Sequence, residues 1–213
     1  MPETNKYALL IANSDFEDGQ LAKLSAPEDD VISFRAILED TKIAGFETKL
    51  LINSGLDEVR TSVSSLFEHK HPDDLLLLYY TGHGLRDEHG DLYLALPKTN
   101  SLAPRAMSLD SDYVRREMNR SNALSQVIIV DCCHSGAIMN NGAKRSNEEA
   151  TLFKADFAPS GTGKFVLAAS AANESAFEKL GKSIFTKHLV EGLRSGAAAP
   201  EKNDISVDDI HKY

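Results

Sequence analysis

The chain has 213 residues, enough for one domain with a substantial core, and its 32 acidic against 23 basic residues leave a net charge of -9. That balance excludes a general nucleic-acid-binding protein, which needs a basic surface, and it suits a cationic substrate. No apolar run approaches a membrane span, the N-terminus has no signal-peptide pattern, and the two cysteines, Cys132 and Cys133, are adjacent. No disulfide framework is therefore expected, and a reducing cytoplasm is the expected compartment.

Residues 7–12 form a short apolar run that predicts a buried strand. Ser25-Ala26-Pro27-Glu28 has the form of a capping box with proline in the first turn. The helix it opens carries Val31, Phe34, Ile37 and Leu38 on one face. A second strand is expected over residues 48–52. Leu56, Val59, Val63, Leu66 and Phe67 then mark an amphipathic helix that Pro72 ends. A third strand follows over residues 74–80, a small hairpin or edge over 91–96, and a helix over 110–119. The fourth and fifth strands are expected at 126–130 and 165–169, and a last long helix at 184–193. This alternation predicts an α/β fold, a mainly parallel sheet with helices on both faces and right-handed crossovers. Residues 137–163 interrupt it with a polar, aperiodic stretch, longer than an inert connection needs. Ser206-Val207-Asp208-Asp209 reads as a second capping box close to the end.

Two segments carry the chemistry. Tyr79-Tyr80-Thr81-Gly82-His83-Gly84 follows the third expected strand, and Val130-Asp131-Cys132-Cys133-His134-Ser135-Gly136 follows the fourth. Each presents a reactive side chain among small residues just past a strand's carboxyl end, where open α/β sheets gather functional groups. A histidine and a cysteine so placed point to a thiol nucleophile and its base. A lone buried cysteine would more simply pack as a small hydrophobe, but two such motifs on two such elements favour catalysis. Strand alternation puts Asp131 and Cys133 on one face and Cys132 on the other. His134 is a rival base, yet a sequence neighbour turns back onto the adjacent thiol with difficulty.

The two motifs resemble those of the caspase-like superfamily, and its metacaspase and bacterial orthocaspase branches best. The pattern there is Gly-His-Gly after one strand and Asp-x-Cys-x-Ser-Gly after the next. His83 and Cys133 are 50 residues apart, about the separation found in caspases. The Gln-Ala-Cys of animal caspases is absent. The resemblance runs from Tyr7-Ala8-Leu9-Leu10-Ile11 to Ala176-Phe177-Glu178 and beyond. It implies a caspase-like three-layer sandwich over residues 1–213, with a large-subunit-like region at 1–136, an inter-subunit linker at 137–163 and a small-subunit-like region at 164–213.

The resemblance also implies roles. His83 and Cys133 would form a dyad, and the backbone N–H groups of Gly84 and Cys133 an oxyanion hole. Asp30 and Asp131 would form an acidic substrate pocket, with Asp29 standing where the metacaspase pattern has asparagine. Ser170 would wall that pocket, although Ala169-Ser170-Ala171-Ala172-Asn173-Glu174-Ser175 departs from the usual pattern there. Two carboxylates suit a guanidinium above an ammonium group, so cleavage after arginine and then lysine is expected. The plainer reading of Glu28, Asp29 and Asp30 is compensation of a helix dipole, and of Asp131 a strand-end cap. Proteins of this kind are commonly cut between their subunit-like regions, which makes Arg145, Lys144 and Lys154 self-cleavage candidates. The implied partners are proteins or peptides with Arg or Lys at the cleaved bond, and a fused or associated sensor or effector module in bacterial stress or defence.

Many metacaspases need calcium. Asp110 and Asp112 are candidates for such a cluster, but they read equally as a helix start, so no metal is assigned and calcium activation stays open. Ser160-Gly161-Thr162-Gly163-Lys164 imitates a phosphate-binding loop but lacks its other fixed residues. The rival reading is a non-catalytic caspase-fold scaffold that binds partner proteins. Retention of both His83 and Cys133 counts against it. A legumain-like preference for asparagine is countered by Asp30 and Asp131.

Overall fold

Among the described residues, a seven-stranded sheet organises the molecule. The computed structural model describes residues 4–134, 155–157, 163–171, 183–201, 205–206, 209–210 and 213, with the backbone alone at 133, 134 and 169–171. The elements in chain order are β1 (Lys6–Ala12), α1 (Pro27–Glu39), β2 (Glu47–Ile52), α2 (Leu56–Phe67), β3 (Leu75–Arg86), β4 (Leu92–Leu94), β5 (Leu109–Asp110), α3 (Ser111–Arg120), β6 (Ser125–His134), β7 (Lys164–Ala171) and α4 (Ile184–Ser195). Strands β2, β1, β3, β6 and β7 lie side by side in that order and are parallel. β4 runs antiparallel to the far end of β3, and β5 antiparallel to β4.

The strands are apolar on both faces because helices cover both. Leu9, Ile11, Leu78, Tyr80, Ile128 and Val130 pack with Val59 and Val63 of α2 and Val114 and Met118 of α3. The alternate residues Ala8, Leu10, Tyr79, Val127 and Ile129 pack with Val31 and Phe34 of α1 and Leu189 and Val190 of α4. Each fully buried aliphatic or aromatic side chain contributes about 1.5–3 kcal/mol relative to exposure. The two cores therefore hold α1 and α4 on one side and α2 and α3 on the other, the three-layer arrangement expected from the alternation.

Two strands are longer than the sequence implied. β3 does not stop at Tyr80, because β4 supplies antiparallel partners to Gly84, Leu85 and Arg86 while β6 continues beside it. β6 likewise runs on to His134. His83 and Cys133 thus lie within the ends of two paired strands rather than just past them. At Gly82 the backbone takes a φ of 155°, and a Cβ there would stand 2.6 Å from the Tyr80 hydroxyl. That hydroxyl is shared between the carbonyls of His83 at 2.9 Å and Ala95 at 2.7 Å. It pins the turn of chain that carries the histidine.

The first expected capping box does not form. Ala26 is the N-cap of α1, with no side-chain cap bond, and Pro27 opens the first turn. Glu28 is turned away instead and accepts from the Ser14 hydroxyl at 2.9 Å and the Asn53 amide at 3.2 Å. The second box forms: the Ser206 N–H donates to the Asp209 carboxylate at 3.0 Å, and the Asp209 N–H donates back to Ser206 Oγ at 3.2 Å.

The stretch 137–163 is not uniformly loop-like. Its residue Phe157 is fully buried in the α2–α3 core. Beside it, Asp156 accepts both arms of the Arg86 guanidinium at 2.6 and 3.2 Å. One aromatic residue in a polar stretch gives no periodicity, which is why the sequence hides this anchor. Lys164 of the imitation phosphate loop donates to the Met118 carbonyl at 3.0 Å and to the Asn119 side chain at 3.3 Å, fastening the end of α3.

Two stability outcomes follow from these contacts. Phe157→Ala should lower unfolding free energy by about 3–5 kcal/mol. Urea denaturation measures this, and a loss under about 1 kcal/mol would mean that the anchor does not hold. Gly82→Ala must displace the Tyr80 hydroxyl and should cost about 2 kcal/mol or more. The matching Gly90→Ala variant, with open space around the new methyl group but a φ of +86°, separates backbone strain from this clash.

Candidate active site

The parallel register of β3 and β6 pairs His83 with Cys133. Neighbouring strands lie about 4.8 Å apart, so the two residues sit side by side at the carboxyl end of the sheet. The alternation in β6 is clear. Cys132 is fully buried and joins Ile128 and Val130 in the α2–α3 core. Asp131 faces the other way, towards Tyr79 and α4. β6 remains extended through Cys133, which takes the register position beside His83. Gly84, one step on, is paired with His134 on one side and Leu94 on the other.

His83 is fully buried, and the chain between β1 and α1 holds it. Its Nε2 donates to the carbonyl of Ala22 at 2.8 Å. A carbonyl only accepts, so in the neutral ring Nε2 carries the proton and Nδ1 is the basic nitrogen. The Phe16 ring lies against the imidazole, with centroids 4.9 Å apart. This loop is itself tied down. The Asn13 N–H donates to the Thr81 carbonyl, the Leu24 N–H to the Ser14 carbonyl and the Glu17 N–H to the Pro97 carbonyl. Asp18 accepts from the backbone and the hydroxyl of Ser101, at 2.7 Å each, and these bonds hold its carboxyl below the usual range. Ala22 carries no mark that a reading of the residues could find, because a main-chain carbonyl has no residue signature.

Asp30 and Asp131, distant in sequence, are brought together and both are buried, 1 % and 7 % exposed. One residue bridges them. The Ser183 N–H donates to Asp30 at 3.1 and 3.3 Å, and the Ser183 hydroxyl donates to Oδ2 of Asp131. Thr186 Oγ1 donates to the same Oδ2 at 2.8 Å. Its single proton is spent there, so the Tyr79 hydroxyl, 2.7 Å away, donates to Thr186. Burial pushes Asp131 above the usual carboxylate range, and the two hydroxyls pull it back towards the charged form. Burial, reinforced by the nearby Asp131 charge, raises Tyr79 well above its ordinary value and keeps it a donor.

Other candidate residues fall elsewhere. Ser170 occupies the β7 register position beside Cys132. Lys144, Arg145 and Lys154 lie outside the described residues. Asp110 caps α3 by accepting from the Asp112 N–H at 2.8 Å, and Asp112 pairs with Arg115. Among the described residues no three His, Cys, Asp or Glu side chains gather as a metal site. Among them, too, no helix is long and apolar enough to cross a membrane.

A comparison with solved structures finds the same fold in caspase-1 from Spodoptera frugiperda. The TM-score is 0.60 at 16% identity, covering 92% of this chain and 71% of that one. The pro form, pro-sf-caspase-1, matches with a TM-score of 0.60 at 16% identity over 90% of this chain and 71% of that one. A protein from Geobacter sulfurreducens matches with a TM-score of 0.59 at 17% identity, covering 90% of this chain and 83% of its own. No curated protein matches the chain in sequence. Identities this low establish the architecture alone. The family evidence is separate: the caspase domain model matches residues 5–212. Nearly the whole chain is covered, and the protein therefore belongs to the caspase domain family, a family of cysteine peptidases.

Proposed function

We propose that this protein is a cysteine endopeptidase in which Cys133 is the nucleophile and His83 its base, cutting after arginine and less readily after lysine. The observation that carries the reading is the β3–β6 register, which pairs His83 with Cys133 two residues along β6 from Asp131, one of a buried pair of carboxylates. His83 takes the thiol proton, and the thiolate attacks the scissile carbonyl. The oxyanion is met by the N–H groups of Gly84 and Cys133. His83 then returns the proton to the leaving amine, and water releases the acyl group. Asp30 and Asp131 receive the substrate's guanidinium. The substrates are cytoplasmic proteins or peptides. A fused or associated sensor or effector module, or calcium, switches the enzyme on in stress or defence.

The test is turnover of a peptide library. Cys133→Ala should lose more than about a thousandfold in rate, and His83→Ala nearly as much, since the pair acts as a unit. Cys132→Ala should keep most activity, because Cys132 lies in the α2–α3 core, on the opposite face of β6 from Asp131. The wild-type profile should be dominated by arginine at the cleaved position. Full activity in Cys133→Ala would sink this mechanism, no turnover by the wild type would support the scaffold reading, and a profile dominated by Asp or Asn would refute the acidic pocket.

The enzyme should also nick itself after Arg145, with Lys144 and Lys154 as weaker sites. The two fragments should stay together, because β7 pairs with β6 in one sheet and Phe157 is seated in the core. Mass spectrometry of wild-type and Cys133→Ala protein decides this. A nick common to both would mean a contaminating protease, and an intact active enzyme would mean that maturation does not use this cut.

A further inference from the structure

The acidic pair does not stand alone in the fold. Its geometry is set by the start of α4, from the N-cap Ser183, 52 residues after Asp131. Two hydroxyls, from Ser183 and Thr186, converge on a single oxygen of Asp131, Oδ2. No donor from the described residues reaches Oδ1. The backbone N–H of Ser183 meanwhile fixes Asp30. Ser183 is also the N-cap of α4, its Oγ accepting the Thr186 N–H at 3.4 Å. Tyr79 locks Thr186 from the β3 side. A carboxylate with both donors on one oxygen cannot rotate freely, and its other oxygen presents a fixed acceptor. A planar guanidinium needs this kind of fixed acceptor to make paired hydrogen bonds.

From this arrangement we infer that Ser183 and Thr186 are positioning residues for specificity: they hold Asp131 so that Oδ1 accepts the substrate's guanidinium, and they set Asp30 beside it. The inference rests on the acidic-pocket reading given above. It assigns the preference for arginine to two neutral hydroxyls as well as to the two acids. It also makes the preference depend on pH in a set direction. The recess holds a cation only while Asp131 is ionised, and each hydroxyl bond favours the ionised form. Removing one raises the carboxyl's pKa, so affinity for arginine is lost at a higher pH as the solution is acidified. Among the described residues, the groups that face Asp131 are few. α1 brings Asp30, and β3 brings Tyr79 and, from Thr81 onward, His83. The register partner on β7 is Ala169. On α4 the nearest charged or titratable residues, Lys187 and His188, are exposed.

The experiment measures binding without cleavage. In Cys133→Ala protein, calorimetric titration compares a peptide with arginine at the first subsite against the same peptide with neutral, isosteric citrulline, from pH 4.5 to 8. Ser183→Ala and Thr186→Val should each weaken the arginine peptide about tenfold. They should leave citrulline binding unchanged and move the acid limb to higher pH, while Thr186→Ser restores both. Circular dichroism checks folding, and because Thr186 is not the helix cap, its Val and Ser variants decide the matter if Ser183→Ala does not fold. An unchanged arginine-to-citrulline ratio and acid limb in folded variants, with the ratio abolished by Asp131→Asn, would overturn this inference and leave the acidic pocket standing. A ratio that survives Asp131→Asn would overturn the pocket, and the inference with it.

Discussion

The ladder between β3 and β6 is the joint on which the rest depends. Its paired residues run from Leu75 and Ser125 at one end to Gly84 and His134 at the other. Side chains in a strand alternate, so a slip of one residue would move every one of them to the opposite face. Slipping β6 against β3 would set Cys132 beside His83 and push the carboxylate of Asp131 into the apolar layer of Val59, Val114 and Met118. An unpaired charge there is prohibitively costly. Val130 and Cys132 fill that layer, while Asp131 finds hydroxyls on the other side. The register is fixed by hydrophobic burial, and the pairing of His83 with Cys133 is its by-product.

Everything else at the site is brought to that joint from a distance. The loop after β1 wraps the imidazole, and its hold depends on contacts with residues 97–101. The first turn of α4 reaches the acids, and α4 is seated on the sheet by Leu189 and Val190 in the same apolar layer as Val31 and Phe34 of α1. The acids thus lie where α1, β6 and α4 meet. A movement of α4 would be felt at Asp30 and Asp131 together, since Ser183 bonds to both.

Strong periodic signals made the layers readable from the sequence. The runs in β1, β3 and β6 and the faces of α1 and α2 announce themselves, and His83 and Cys133 stand out by motif and element, whereas Asp30 and Asp131 are singled out only by the family resemblance. What was hidden has physical reasons. The true ends of β3 and β6 depend on partner strands, which local sequence does not show. The box at Ser25 was a correct local pattern overridden when Glu28 found Ser14 and Asn53. Phe157 is one aromatic residue with no rhythm around it. Ser183 and Thr186 look like an ordinary helix start, and only the fold reveals that their hydroxyls end on a carboxylate.

The partner of the imidazole is a main-chain atom, and this bears on how the protein can change over time. Any replacement at position 22 keeps a carbonyl oxygen, so the acceptor at Nε2 survives point mutation as such. A substitution scan would score Ala22 as tolerant while missing what the position does. Insertions and deletions between β1 and α1 are different, because they would carry that oxygen out of reach. Selection on the loop therefore falls on its length and its anchor points, Asp18 among them, and leaves the identity of residue 22 free to drift.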